Sequence, residues 1–330
     1  MHILPMTITY TARGEGRLPP FKPPLLRGAL GRALVRIGCR RRQPPCDDCP
    51  YRQGCLYFGL YVAFQDETPR FGNMRMPPHP YVIRCDNDQT AFQPGERLDF
   101  EMVLIGRASG WAPAIAVALA EAGERGFGAG RHPFRLDEIT LQTAAGPVAL
   151  YADGALRRAT IDDLTLPDLT PLPLLKEERA SHGAVGAEAN GGRQSVRVVL
   201  HTPTRWANRV DARTPLEARA FLKSVLRRVS SLSAFWADDE WREVPFGEVL
   251  GTLEATTVAA PDLRWESLSR YSLSQGTKIP LEGWVGTFLL RQIPARFSAF
   301  VGLAQPLHLG KGSVFGLGRY SWHPLEETPA

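Results

Sequence analysis

In this 330-residue chain, the spacing of apolar residues alternates between the two-residue period of a strand and the 3.6-residue period of a helix. The same order of strand-like and helix-like segments occurs twice. In the first half the order is strand, helix, strand, strand, helix, strand. The predicted segments are Ile3–Tyr10, Leu25–Gly38, Tyr81–Arg84, Leu98–Arg107, Pro113–Ala122 and Leu136–Gln142. The first strand of the middle pair carries the weakest pattern.

The second half repeats this order. The segments predicted there are Ser195–Thr202, Leu216–Trp236, Leu263–Tyr271, Trp284–Leu290, Ala295–Ala304 and Val314–Trp322. Because β-α-β-β-α-β is the split unit of ferredoxin-like folds, we predict an α+β protein with two tandem ferredoxin-like, RRM-like domains. The prediction depends on element order alone, since no residue-level repeat relates the two halves.

The apolar pattern disappears over residues 177–192, where glycine and alanine dominate. Such a composition is typical of a linker. We therefore predict an N-terminal domain over residues 1–176 and a C-terminal domain over residues 193–330. Residues 39–80 interrupt the first domain as a cysteine-containing insertion after its first helix.

The bulk composition narrows the class of protein. No apolar run approaches the roughly 18 residues that a membrane span needs, and the N-terminus lacks a secretory pattern. These features predict a cytoplasmic protein without membrane contact. A net charge of +5 permits a polyanionic partner. Only five of the 39 basic residues are lysines, and the arginine excess fits either nucleic-acid recognition or a GC-rich genome.

Four glycines fall within the nine residues Gly310–Gly318, near the C-terminus. Glycine allows positive φ and close approach of a partner, so backbone N–H groups could face phosphate oxygens. Lys311 and Arg319 add positive charge, and Tyr320 offers a stacking face. The spacing fits neither a dinucleotide fingerprint nor a Walker loop. A flexible loop or a tight hairpin is the alternative interpretation.

Four of the five cysteines, Cys39, Cys46, Cys49 and Cys55, fall within 17 residues, in the pattern C-x6-C-x2-C-x5-C. In a reducing compartment such a cluster indicates a metal site rather than disulfides. The spacing resembles the iron–sulfur loop of endonuclease III-type glycosylases, and only one pair is as close as structural zinc sites prefer. We predict a structural site for zinc or a 4Fe–4S cluster.

The C-terminal run HLGKGSVFGLGRY (308–320) resembles the glycine-rich loop of the RAMP superfamily, in particular its CRISPR precursor-RNA processing endoribonucleases. Further stretches resemble that family besides the four-cysteine insertion. They are LLRGALGRAL (25–34), PHPYVI (78–83), TPTRW (202–206) and RYS (270–272). The resemblance thus extends over nearly the whole chain.

The resemblance implies cleavage of CRISPR repeat RNA without a metal or other cofactor. The ribose 2′-OH would attack the adjacent phosphate and leave a 2′,3′-cyclic phosphate. It also implies that the chain keeps its CRISPR RNA as a subunit of an effector complex. Alternatives are a non-catalytic RAMP subunit that binds guide RNA, or a four-cysteine iron–sulfur protein that binds nucleic acid.

Such a reaction needs a proton acceptor, a proton donor and positive charge at the phosphate. We predict His308, Lys311 and Arg27 as catalytic candidates. The predicted RNA-binding residues are Gly310, Gly312, Ser313, Gly316, Gly318, Arg319, Arg32, Arg36, Arg205, Arg270 and Tyr271.

The positions of the seven histidines leave the acid–base pair open. Many members of the family place a catalytic histidine on or near the first helix, yet residues 11–78 contain none. We interpret His201 as an exposed strand histidine and assign no role to His323 near the tail.

Overall fold

The computed structural model describes residues 1–41, 46, 48–62, 74, 76–159, 192–207, 211–237, 246–272 and 276–325. The chain divides into two compact units. Unit 1 comprises Met1–Asp168 and Phe235–Ala237, and unit 2 comprises Leu169–Ala234 and Asp238–Ala330. None of the helices in these described stretches is both long and apolar enough to cross a bilayer.

Unit 1 is built on an antiparallel sheet in the order β3-β5-β1-β6-β7-β8, beside a short β2-β4 ribbon. Its strands are β1 (Ile3–Ala12), β2 (Gly16–Arg17), β3 (Tyr81–Arg84), β4 (Ala91–Phe92), β5 (Arg97–Ile105), β6 (Phe134–Thr143), β7 (Gly146–Ala152) and β8 (Ala155–Leu156). Strand β5 lies between β1 and β3, which is the strand order of a split β-α-β unit.

Two helices accompany this sheet, α1 (Pro23–Gly38) and α2 (Ala112–Arg125). Helix α1 begins at two prolines, which suit a first turn because its N–H groups lack helical partners. Its buried stripe includes Leu26, Leu30 and Leu34. Helix α2 is joined to the core by Tyr10, whose buried hydroxyl donates to the Leu119 carbonyl at 2.7 Å.

Unit 2 repeats the arrangement with a four-stranded antiparallel sheet in the order β10-β11-β9-β12. Its elements are β9 (Arg193–Thr204), α3 (Ala218–Trp236), α4 (Phe246–Gly251), β10 (Thr257–Ser272), β11 (Thr277–Pro294), α5 (Ala295–Leu303) and β12 (Tyr320–Pro324). Val196, Val198 and Leu200 of the inner strand β9 are buried. The predicted α+β class is confirmed, and the predicted elements follow one another in the predicted order in both units, with helix α4 as an unpredicted addition in unit 2.

The structure differs from the sequence-based predictions at two points, and a third prediction falls on residues that it does not describe. Strands β2, β4, β7 and β8 were not predicted. The last strand begins at Tyr320 and not at Val314, because Gly316 and Gly318 adopt positive φ, which a strand does not use. The predicted linker 177–192 lies outside the described residues except for Gly192, so the domain bounds stay predictions.

Candidate functional site

The glycine-rich loop of unit 2 lies between α5 and β12. All four of its glycines have positive φ: +73° at Gly310, +84° at Gly312, +79° at Gly316 and +73° at Gly318. A Cβ at Gly318 would collide with the carbonyl oxygen of Leu309, and one at Gly310 with that of Arg205. Gly310 and Gly318 are therefore required by close backbone contacts within the protein itself.

The end of β9 forms the floor of the loop. The Gly318 N–H donates to the Pro203 carbonyl at 3.1 Å, and the Lys311 N–H reaches the Arg205 carbonyl at 3.4 Å. The Thr202 hydroxyl donates to the Gly316 carbonyl at 2.9 Å and accepts from the Arg319 N–H at 3.0 Å.

Further bonds close the loop upon itself. The Leu309 N–H donates to the Gly318 carbonyl at 2.8 Å, and the Phe315 N–H to the Gly312 carbonyl at 2.8 Å. These bonds make the loop a hydrogen-bonded turn structure. None of these bonds uses the N–H groups of Gly310, Gly312 or Ser313.

Helix α3 anchors the start of the loop through Arg228. Its half-buried guanidinium donates twice to the Leu307 carbonyl, at 3.2 and 3.1 Å. Burial lowers the pKa of Arg228 to about 10. Sequence analysis missed this residue, because nothing in the helical pattern separates a half-buried arginine from the solvated arginines around it.

His308 lies inside this structure with an exposed fraction of only 4%. Its Nδ1 is 3.1 Å from the Leu317 carbonyl, and because a carbonyl oxygen only accepts, Nδ1 carries the proton of that bond. The contact crosses the loop and braces it. The catalytic role of His308 stays a prediction, and its position supports a structural one.

Three cationic residues belong to the loop, follow it directly or contact it. Lys311 is exposed and Arg319 is half-buried. The Arg270 guanidinium of β10 lies 4.3 Å from the ring centroid of Phe315, a distance at which the ring attracts the cation. Arg205 contributes its backbone carbonyl to the floor, and the side chain of Tyr271 lies outside the described part of the chain.

Tyr320 follows the loop but is not available for stacking. It is buried, and its hydroxyl donates to the Val301 carbonyl at 2.8 Å. Burial raises the pKa of Tyr320 well above its ordinary value. The stacking face predicted for Tyr320 is wrong, because the alternation of β12 turns this ring into the core of unit 2.

The arginines predicted on the first helix belong to unit 1. The Arg27 guanidinium lies 4.5 Å from the ring centroid of Tyr61, whose hydroxyl donates to the Arg27 carbonyl at 2.6 Å. Arg36 forms a 2.9 Å ion pair with Glu121. The Arg32 residue is exposed as a whole. Its pKa is lowered first by partial desolvation of the guanidinium and second by the charge of Arg36. Their roles toward RNA stay predictions.

The four predicted metal ligands, Cys39, Cys46, Cys49 and Cys55, are half-buried free thiols. Burial, and after it the charges of Cys46, Cys39 and Cys55, raise the pKa of Tyr57. Across the described residues, however, no group of three or more histidine, cysteine or acidic side chains is placed to hold a metal ion. The geometry does not support the metal site, which stays a prediction.

Family models match both parts of the chain. Residues 198–320 match the family model of the CRISPR-associated endoribonuclease Cas6, and residues 1–162 match a family described as an N-terminal domain. The C-terminal part of the chain therefore matches the Cas6 family, as the resemblance of its glycine-rich run implied. No curated protein sequence matches the chain.

Solved structures agree with a Cas6-type fold. A partial Cas6-RT-Cas1–Cas2 complex aligns with a TM-score of 0.56 and 12% identity over 100% of this chain. The chain spans 47% of that longer chain. A product complex of Thermus thermophilus Cas6 aligns with a TM-score of 0.52 and 16% identity, over 98% of this chain and 99% of the other. At these identities the likeness concerns the fold.

Proposed function

We propose that this protein binds CRISPR repeat RNA at the glycine-rich loop and cleaves it without a metal ion. The folded loop carries the proposal, because it presents Lys311, Arg319 and the Phe315-bound Arg270 around one backbone turn. Phosphate oxygens are the ligands that such a combination of cations and glycine backbone recognises.

The Cas6 family match over residues 198–320 supports this substrate class. Attack of a ribose 2′-OH on the adjacent phosphate would yield a 2′,3′-cyclic phosphate and a 5′-OH. The protein would keep its RNA product as part of a larger CRISPR assembly. A protein of similar fold was solved in a Cas6-RT-Cas1–Cas2 complex. A non-catalytic RNA-binding subunit is the second candidate, favoured by the burial of His308.

The salt dependence of RNA binding tests the loop directly. We expect Lys311→Ala and Arg270→Ala each to weaken binding of a repeat hairpin. Each should reduce the slope of log K against log salt by about 0.7–0.9, the value of one lost phosphate contact. Fluorescence anisotropy, measured over salt concentrations from about 50 to about 200 mM, gives both the affinity and the slope.

Arg219→Ala is the matched control, because Arg219 is an exposed arginine of α3 outside the loop. Its affinity and slope should equal those of the wild type. Equal slopes for all four proteins would remove the loop from the RNA-binding surface.

A further inference from the structure

Unit 2 carries a cluster of polar side chains on the face of its sheet opposite the core. On β9, Val196, Val198 and Leu200 point into the core, so Arg197 and His201 lie on the other face. Ser321 of the edge strand β12 pairs with Val199, and His323 pairs with Arg197. Cross-strand partners share a face, which places both histidines and Ser321 together.

The Ser321 hydroxyl bridges the two imidazoles. Its oxygen lies 3.0 Å from Nε2 of His201 and 2.9 Å from Nε2 of His323. The two ring nitrogens are therefore no farther apart than two hydrogen-bond lengths. Both histidines are exposed, unlike His308, so a polymer can reach them.

The chemistry of this bridge favours one proton donor and one acceptor. A serine hydroxyl has a single proton, so it donates to at most one imidazole, and the other imidazole must donate to it. One Nε2 thus carries a proton while the other can present its lone pair.

The charges on this face favour an anion. The cations are Arg197 on β9, Arg291 on β11, Arg319 before β12 and Arg193 on β9, whose guanidinium also donates to the Gln292 and Thr252 carbonyls. The acidic groups that the register and burial pattern place on this face are Asp262 on β10 and Glu282 on β11. Arg319 is joined to the site by its carbonyl, which accepts from the His201 N–H at 2.9 Å. Arginine binds phosphate oxygens through its planar fork.

We propose that His201 and His323 are the acid–base pair of RNA cleavage, and that Ser321 positions both rings at one phosphate. The proposal rests on the endoribonuclease function proposed above. The neutral imidazole takes the 2′-OH proton as the O2′–P bond forms. As the P–O5′ bond breaks, the other ring, which must enter the step as an imidazolium with both nitrogens protonated, gives one proton to O5′ and becomes neutral. One ring gains the proton that the other loses, and no further reactant is needed.

Single-turnover cleavage of a repeat RNA in EDTA tests the pair. His201→Ala and His323→Ala should each slow cleavage about 10²–10⁴-fold, the usual loss for a general acid or base. RNA affinity should stay within a few-fold of the wild type. Because the pair acts as a unit, the double variant should be about as slow as either single one.

The pH profile separates catalysis from a structural effect. The wild type should show a bell-shaped rate profile, and each single variant should lose one limb of it. Ser321→Ala, which changes a positioning residue, should cut more slowly but keep both limbs. His2→Ala is the control, since His2 is an exposed histidine of unit 1, and it should cut at the wild-type rate.

The outcomes distinguish the pair from the proposed function. Wild-type rates in both histidine variants, with repeat RNA still cut, would overturn the pair and leave the endoribonuclease standing. A wild type that binds the repeat but never cuts it would overturn both.

Discussion

At the scale of single residues, one property of the loop glycines could be predicted from the sequence and another could not. Four glycines in nine residues indicated positive φ, and all four have it. The sequence did not reveal what the glycines approach. Gly318 and Gly310 lie against backbone carbonyls of the protein itself, so the loop is shaped first by its own packing and only its remaining N–H groups can face a ligand.

Gly318→Ala should destabilise unit 2 by about 1–3 kcal/mol or more, because its Cβ would meet the Leu309 carbonyl at a φ that alanine disfavours. Thermal unfolding measures the loss. Gly247→Ala is the matched control, since a Cβ there meets nothing within 4 Å and the position lies in helix α4. It should be neutral or up to about 1 kcal/mol more stable. Equal melting of both variants would contradict this account of the loop.

The histidines show the limit of reading residues one at a time. His308 was predicted as catalytic from its place beside the glycines, yet it is buried and bonded to Leu317. His201 and His323 looked unremarkable alone. They meet only through Ser321, which is 120 residues from His201 in the chain. No local pattern encodes such a pair, because it depends on the register between β9 and β12.

At the scale of elements, order was easier to predict than boundaries. Both β-α-β-β-α-β orders follow from apolar periodicity, because core faces must repeat with the period of their element. The start of β12 was wrong, since Val314 and Phe315 read as strand residues but form a tight turn between positive-φ glycines. Short strands such as β2 and β4 contain two residues each, too few for any period.

The cysteine insertion carries an element-scale prediction of its own. If the four thiols bind a structural metal, the purified protein should contain about one zinc or about four irons per chain, as one Cys₄ site or one 4Fe–4S cluster requires. Elemental analysis measures this, and Cys49→Ser should lower the metal content. Cys85→Ser is the control, because Cys85 lies outside the cluster on the sequence. A metal-free, folded wild type would contradict the metal site.

At the scale of the whole molecule, the chain consists of two units that share one strand order. The duplicated order of elements could be predicted from the sequence. Which of the two units carries the candidate functional residues could not. The residues that best fit RNA recognition and cleavage, including the loop, Arg270 and the His201–Ser321–His323 cluster, all belong to unit 2. The Cas6 family match covers the same part of the chain. We therefore expect the chemistry to depend chiefly on unit 2.

The most direct test is incubation of the full-length protein with CRISPR repeat RNAs in excess EDTA, followed by analysis of the product ends. The account predicts a cut at one position in a cognate repeat, with a 2′,3′-cyclic phosphate on the upstream fragment and a 5′-OH on the downstream one. Cleavage that stops in EDTA, or fragments with a 3′-OH and a 5′-phosphate, would contradict it.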